Sequence, residues 1–313
     1  MGASALSSRA IIGEFYNTLE QDAGASWVDS VSNLFQSNQE SETYKWLGMS
    51  PAMREWIGGR QAKGFRNDGI TITNKNFEAT LEVLVDEMRR DKTGQIMVRV
   101  RELAERTNAH WASLLSALII AAESAVCYDG QFFFDTDHVE DDSGSQSNDL
   151  TSDITTTTAP TSGEMETAIL KSIEAIMGFK DNQGQPMNEN ARAFEIMVPV
   201  PFMSSAAGAI GSQIIVDAST SRSNRIITMG SLGGFQVALR VNARLTWTTK
   251  FATFRTDAQT KALIRQDEEA VSIDAIAEGS ELEFKEKKHH YGVKAMRNVG
   301  YGYWQRAALT TFT

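Results

Sequence analysis

The run of residues 95–123 constrains this chain more than any other segment. Ile96, Val100, Leu103, Thr107, Trp111, Leu114, Leu118 and Ala122 step by three or four residues, the spacing that lines one face of an α-helix. Asp91, Lys92, Thr93 and Gly94 precede it, and Thr93 can cap its free amides. Carried to Glu123, the helix would be about 45 Å long at 1.5 Å per residue. That is long for a globular protein, and the pattern lacks the sustained heptads of a coiled coil.

The chain of 313 residues is large enough for a sizeable core in one domain or two. Its 42% hydrophobic and 22% charged residues are near the globular average. A net charge of −10 and a pI near 5.0 argue against gripping nucleic acid, which takes clustered Lys and Arg. Cys127 is the single cysteine, so no internal disulfide can form, and it reads as a small core residue rather than a nucleophile. The start carries no basic stretch followed by an apolar one, so no secretory signal is visible. The longest apolar run, 114–122, is too short to span a bilayer. These features lead us to expect a soluble protein made in a reducing cytosol.

Residues 1–50 read as a polar arm with scattered apolar positions. Phe15 with Leu19, and Trp27, Val31, Leu34 and Phe35, are spaced for one or two short amphipathic helices that need a body or a neighbour to lie against. Residues 53–85 read as a long β-hairpin. Asp68-Gly69 suits the turn, and the return run 70–83 alternates and is rich in β-branched residues. From Arg54 to Lys75 there are five basic and two acidic residues, a local charge of +3. A lone ribbon is marginal in water, so this one should pack on another surface, preferably acidic.

Beyond the long helix, 139–163 reads as an exposed loop and 164–179 as a helix with Met165, Ile169, Ile173 and Ile176 on one face. Strand-like runs follow at 194–200, 214–216, 225–229, 235–239, 243–254, 282–285 and 291–304, with a small-residue helix at 203–212 between them. Helices and strands do not alternate as βαβ units, so the class is α+β.

Possible chemistry concentrates in the segment from Tyr128 to Asn148. Asp135, Asp137 and His138, with Asp141, offer the donors of a divalent-cation site and raise the alternative of a metal-dependent hydrolase. Only His110, His289 and His290 remain to complete such a site, and none sits in a ligand motif. No phosphate-binding glycine loop or nucleophile elbow is present. Gly300-Tyr301-Gly302 reads as a tight backbone contact or strand bend, and His289-His290 as a surface pair on a strand.

The text Trp46-Leu47-Gly48, Arg54-Glu55-Trp56-Ile57-Gly58, Phe77-Glu78-Ala79-Thr80, Tyr128-Asp129-Gly130-Gln131 and Phe134-Asp135-Thr136-Asp137-His138 resembles the major head subunit of Mu-like tailed phages. A weaker match resumes at Phe194-Glu195-Ile196-Met197-Val198-Pro199. The order of parts also resembles the Hong Kong 97-like capsid fold. That resemblance implies an N-terminal arm at 1–50, an extended β-hairpin loop at 51–86, and a peripheral domain with a long spine helix at 87–130 and 241–299. It places an axial domain at 131–240 and 300–313. It implies a non-enzymatic major capsid protein assembled in the host bacterial cytoplasm. Copies would close as hexamers and pentamers into an icosahedral virion head around double-stranded DNA, which is not read by sequence. It implies no cofactor and no metal, no membrane, and as partners a separate scaffold protein, a portal and a minor decoration protein.

In this reading Arg54, Arg60, Lys63, Arg66 and Lys75 make intersubunit contacts. Lys63 also matches the position at which some phage capsids form an isopeptide bond to a neighbour's asparagine, though a solvated or salt-bridging lysine is the plainer account. Because the chain starts at Met1, no N-terminal scaffolding segment is expected to have been removed. An encapsulin-like bacterial compartment shell remains the alternative with the same fold.

Overall fold

Two mixed sheets share the chain between them. The computed structural model describes residues 7–22, 24–45, 47, 69–91, 94–217 and 220–313. The N-terminal part runs α1 (Ser8–Gln21), α2 (Trp27–Val31), β1 (Ser32–Gln36), β2 (Ser41–Tyr44), β3 (Ile70–Thr73), β4 (Lys75–Leu84), α3 (Val85–Arg90), α4 (Gln95–Asn108) and α5 (His110–Ala121). The middle holds β5 (Asp149–Ser152), α6 (Ser162–Gly178), β6 (Ala193–Val198), α7 (Met203–Gly211), β7 (Ile214–Asp217), β8 (Thr220–Ser223), α8 (Arg225–Gly233) and β9 (Gln236–Val241). The chain closes with β10 (Lys250–Arg255), β11 (Leu263–Ile276), α9 (Glu281–Glu286), β12 (Lys288–Tyr301) and β13 (Ala307–Phe312). One sheet is ordered β1-β11-β12-β4, the other β5-β13-β10-β6-β9. The α+β class expected from the sequence holds.

The arm lies against its own body. Ser7 caps α1 by accepting the Ala10 amide (3.3 Å). Ile11 and Phe15 then face α4 and are fully buried with Val83, Ile96, Val100, Ala104 and Tyr291 in a compact second core. Trp27, Val28 and Val31 join the main core. The helix expected to continue through Leu34 and Phe35 stops instead. The Ser32 hydroxyl turns back to the Val28 carbonyl, and β1 joins β11 in parallel, from Ser32 opposite Leu263 to Gln36 opposite Asp267. The ladder offered by β11 outweighs the helical spacing.

The return run of the expected hairpin is split at Asn74. Its first half, β3, pairs with β2, and its second half, β4, pairs along ten positions with β12. The Asn74 side chain donates to the Gln39 carbonyl (2.9 Å) and to Glu268 (2.8 Å), which pins the break. Gly69 is required where the chain passes Tyr44, because a Cβ there would sit 2.7 Å from the Tyr44 carbonyl oxygen. The outgoing run 53–65 and the turn residues 66–68 lie outside the described residues.

The single 45 Å helix is likewise two helices. Thr93 lies outside the described residues; the Asp91 carboxylate accepts the amides of Gln95 (3.1 Å) and Ile96 (3.0 Å). The break falls at Ala109, whose amide bonds back to the Glu105 and Thr107 carbonyls. Beside it, the Asn108 side chain donates to the carbonyls of Leu19 (2.9 Å) and Asp22 (2.8 Å), tying the joint to the end of α1. Thus α4 serves the second core, while Ala112, Leu115 and Ile119 of α5 serve the main one.

Over the five-stranded sheet lies α6, begun by a capping box between Thr161 and Glu164. Its Met165, Ile169, Ile173 and Ile176 pack beside Phe194, Phe251, Phe254 and Phe312. Several expected strands are corrected. Residues 225–229 form the start of α8, because the Asn224 side chain accepts the Ile226 amide (2.8 Å). Residues 282–285 lie in α9, capped by Ser280. The run 243–254 shrinks to β10, and the expected loop 139–163 contains β5, which pairs in parallel with β13. The strand at 194–200 ends at Val198, before Pro199 and a 3-10 turn over Val200–Phe202. Among the described residues no helix is long and apolar enough to cross a membrane.

Candidate functional site

The chain from Cys127 to Asn148 folds as a compact knot immediately after α5. Antiparallel bridges join Val126 to Phe132 and His138 to Gln146. Its acidic side chains stabilise turns. The Asp135 carboxylate accepts the amides of Phe132 (3.1 Å) and Thr136 (2.7 Å), and the Asp129 carboxylate accepts that of Gln131 (3.2 Å). Asp137 is exposed and His138 is buried. The carboxylates of Asp135 and Asp137 therefore do not converge with His138, and the arrangement needed by a hydrolase is not built.

His138 faces Asp129 instead, with Nδ1 2.6 Å from a carboxylate oxygen. The proton positions follow from Asn148. Its amide nitrogen donates to the carbonyls of Phe133 (2.8 Å) and Trp304 (3.4 Å), and its side-chain oxygen accepts the Asp135 amide (2.9 Å). The His138 Nε2, 3.1 Å from that oxygen, must therefore donate. Nδ1 must also meet Asp129 through a hydrogen. Burial pushes the Asp129 carboxyl up, but hydrogen bonds from His138, Cys127 and the Gln131 amide outweigh it and hold the group below its usual range. The imidazole is thus held between the Asp129 carboxylate and the Asn148 side chain, and it stacks on Trp304.

Sγ of Cys127, Asp129 and Nδ1 of His138 present donor atoms within 4.8 Å of one another. The thiol bonds to Asp129 at 2.9 Å, and with the His138 contact this accounts for both carboxylate oxygens through hydrogen bonds. Burial and the Asp129 charge push the Cys127 thiol far up, which removes the thiolate that a nucleophile or a soft-metal ligand requires.

Of the five basic residues expected at intersubunit contacts, Arg54, Arg60, Lys63 and Arg66 lie outside the described residues. Lys75 is exposed on the edge strand β4, directly opposite Arg297 of β12. The expected surface pair His289-His290 is divided: His289 is buried against Glu283, while His290 reaches Glu82 at the surface (3.1 Å). Gly302 does mark a tight backbone contact, since a Cβ there would lie 2.7 Å from the Lys261 carbonyl oxygen. Sequence reasoning missed Trp304 and Gln305, which close the knot from more than 150 residues away and carry no local signal.

Known proteins resemble the chain in sequence and in fold. A stretch of 108 residues, 34% of the chain, is 32% identical to the Mu-like prophage FluMu major head subunit of Haemophilus influenzae, covering 35% of it. Another of 113 residues, 36% of the chain, is 32% identical to the major capsid protein of Escherichia phage Mu, covering 37% of it. These matches span about a third of those relatives' length. In fold, the chain superposes over 97% of its length on 74% of a subunit from the procapsid of bacteriophage JBD30, with a TM-score of 0.55 and 23% identity. It superposes over 93% on 89% of a chain from the mature capsid of bacteriophage PhiM1, with a TM-score of 0.57 and 12% identity. Those identities speak to the fold alone, which is that of a tailed-phage capsid protein. The profile described as Mu-like prophage major head subunit gpT matches residues 7–161 and 240–311, well over half of the chain, and the chain belongs to that family.

Proposed function

We propose that the chain is a major capsid protein. Copies assemble as hexamers and pentamers into an icosahedral head that encloses double-stranded DNA and forms part of a virion. Family membership across both the knot and the C-terminal strands carries this reading. Supporting it, the side chains of Cys127, Asp129 and His138, whose donor atoms lie within 4.8 Å of one another, are engaged in hydrogen bonds to one another. A net charge of −10 keeps the protein from sticking to packaged phosphates.

In this reading the four-stranded sheet with α1 and α4 forms the peripheral domain and the five-stranded sheet the axial domain. Strand β10, which falls within the segment 241–299, goes with the axial sheet to which it is paired. Arg54, Arg60, Lys63, Arg66 and Lys75 make salt bridges to neighbouring copies. A separate scaffold protein and a portal act during assembly, and a minor decoration protein binds the finished shell. Electron microscopy of the purified protein tests the central claim. Closed polyhedral particles or capsomer rings are the expected result; a uniformly small particle overturns it. Reversing the charges of Arg54, Arg60, Lys63 and Arg66 together should block assembly, and unchanged heads would remove those residues from the interface.

A further inference from the structure

Arg297 differs from the other buried arginines. Arg255 pairs with Asp257, Arg265 with Asp29, and Arg306 reaches the Asn188 side-chain oxygen. Arg297 is 3% exposed, yet among the described residues no carboxylate lies within 4.0 Å of it and its Nε has no hydrogen-bond partner. Asp267, opposite it on β11, supplies only longer-range attraction. Lys75, opposite it on β4, is a second cation. The guanidinium rests over the Trp111 ring, 4.8 Å from its centre. Burying a cation without a partner is costly, so native structures rarely leave one so.

Arg297 lines a cleft of about 380 Å³ between β4, β12 and the joint of α4 with α5. Phe77, Ala79, Val293 and Ala295 give it apolar walls, and Arg106 and His110 stand at its helical side. Arg106 is exposed and has no ion pair among the described residues. Lys294 lines the cleft too but is held by Glu269 (3.0 Å). Glu78 is the acidic group in the lining, and its carboxylate accepts the Thr80 hydroxyl (2.9 Å). The cleft is therefore electropositive on a chain with 40 acidic and 30 basic residues. Low-dielectric walls focus such a field toward the opening.

We propose that this cleft receives an acidic side chain of a second copy of the chain. Its carboxylate completes the ion pair with Arg297 and Arg106, and its aliphatic stem lies against the apolar walls. The inference rests on the shell reading, which sets each copy permanently against others. Charge complementarity chooses the occupant: the excess carboxylates of an identical neighbour are the anions always at hand. A guanidinium is also the cation best shaped to hold a carboxylate through two bonds.

The test compares the full-length protein with its Arg297→Met and Arg106→Glu variants. Below the concentration at which particles form, melting temperatures of the free subunits are measured; above it, particles are counted by sedimentation. We expect the free Arg297→Met subunit to melt at or above the wild-type temperature, because an uncompensated charge has been removed. We expect both variants to need about tenfold more protein to assemble, or more, the equivalent of about 1.4 kcal/mol. Assembly of both variants at the wild-type concentration would overturn the proposal while leaving the shell reading intact. So would a lower melting temperature for free Arg297→Met, which would place the partner within the same chain. A rise in the melting temperature of free wild-type subunits with inorganic phosphate, absent in Arg297→Met, would make the occupant a free oxyanion and also overturn it. Failure of the wild type to form any particle would bring down both readings together.

Discussion

The imidazole of His138 lies flat on the indole of Trp304, with ring centroids 3.9 Å apart and planes within 9° of parallel. Stacked aromatic rings contribute beyond the area they bury. Here the stack joins the knot after α5 to the 3-10 turn before β13, two places 166 residues apart. The Asn148 side chain, bonded to His138, to the Asp135 amide and to the Trp304 carbonyl, makes the same connection through hydrogen bonds.

His138→Ala should therefore cost more than loss of packing alone, because Asp129 remains ionised and buried. Removing one partner of a buried pair costs about 3–5 kcal/mol. Urea unfolding of the free subunit measures it, and the double variant Asp129→Asn/His138→Ala should lose less than the two single changes added together. A cost for His138→Ala below about 1 kcal/mol, the scale of an ordinary hydrogen bond, would refute the clamp.

Stability should fall on acidification in two separate windows. His110 is held down from its ordinary 6.5 to about 4, by burial and by repulsion from Arg297 and Arg244. A group whose basic form the fold favours binds more protons when unfolded, so its contribution is lost as pH falls from 6.5 toward 4. His110→Gln should flatten the stability profile there. The carboxyls of Asp129 and Glu166 are also held below their usual range, by hydrogen bonds that outweigh burial. Their contributions are complete above the ordinary carboxylate range and vanish as pH falls below it. Chemical denaturation at a series of pH values resolves the two windows.

Gly302→Ala should destabilise more than Gly300→Ala. At Gly302 a new methyl would meet the carbonyl oxygens of Lys261 (2.7 Å) and Ala262 (3.1 Å), which belong to backbone and cannot swing aside. At Gly300 it would meet Cδ1 and Cγ1 of the Ile72 side chain, at 2.3 and 2.7 Å, which can move by a change of rotamer. Overpacking costs about 1–3 kcal/mol, and we expect Gly302→Ala at the upper end. Equal melting temperatures for the two variants would contradict this.

Glu166 is buried in α6 and anchors the outer hairpin and helix. It pairs with Arg222 of β8 and with Arg225 at the start of α8, whose amide it also accepts (2.6 Å). Glu166→Ala should loosen residues 212–234 before the rest of the fold. Limited proteolysis should then cut between β7 and α8 well before the wild type is cut, and an unchanged digestion pattern would exclude the anchoring role.

The sequence alone determined the periodic elements. The apolar faces of α4 and α6 were legible because helical spacing is a local property, and the fold family was legible from the text between Trp46 and His138; in α5 the expected Trp111, Leu114 and Leu118 are only half-buried, and Ala112, Leu115 and Ile119 face the core instead. It also placed Cys127 among core residues and a tight contact at Gly300–Gly302. Tertiary structure decided which local preference won. Leu34 and Phe35 left their helical pattern for the ladder on β11, and the long helix broke at Ala109, beside the Asn108 side chain that ties the joint to the end of α1. The charged strand β11 escaped detection because Arg265, Asp267 and Glu269 find partners or positions that no alternation pattern encodes. Asp135, Asp137 and His138, adjacent in sequence, were separated into a turn, the solvent and the core. His138 was matched with Asp129 and Trp304, since the energy of a buried charge depends on what surrounds it rather than on what precedes it.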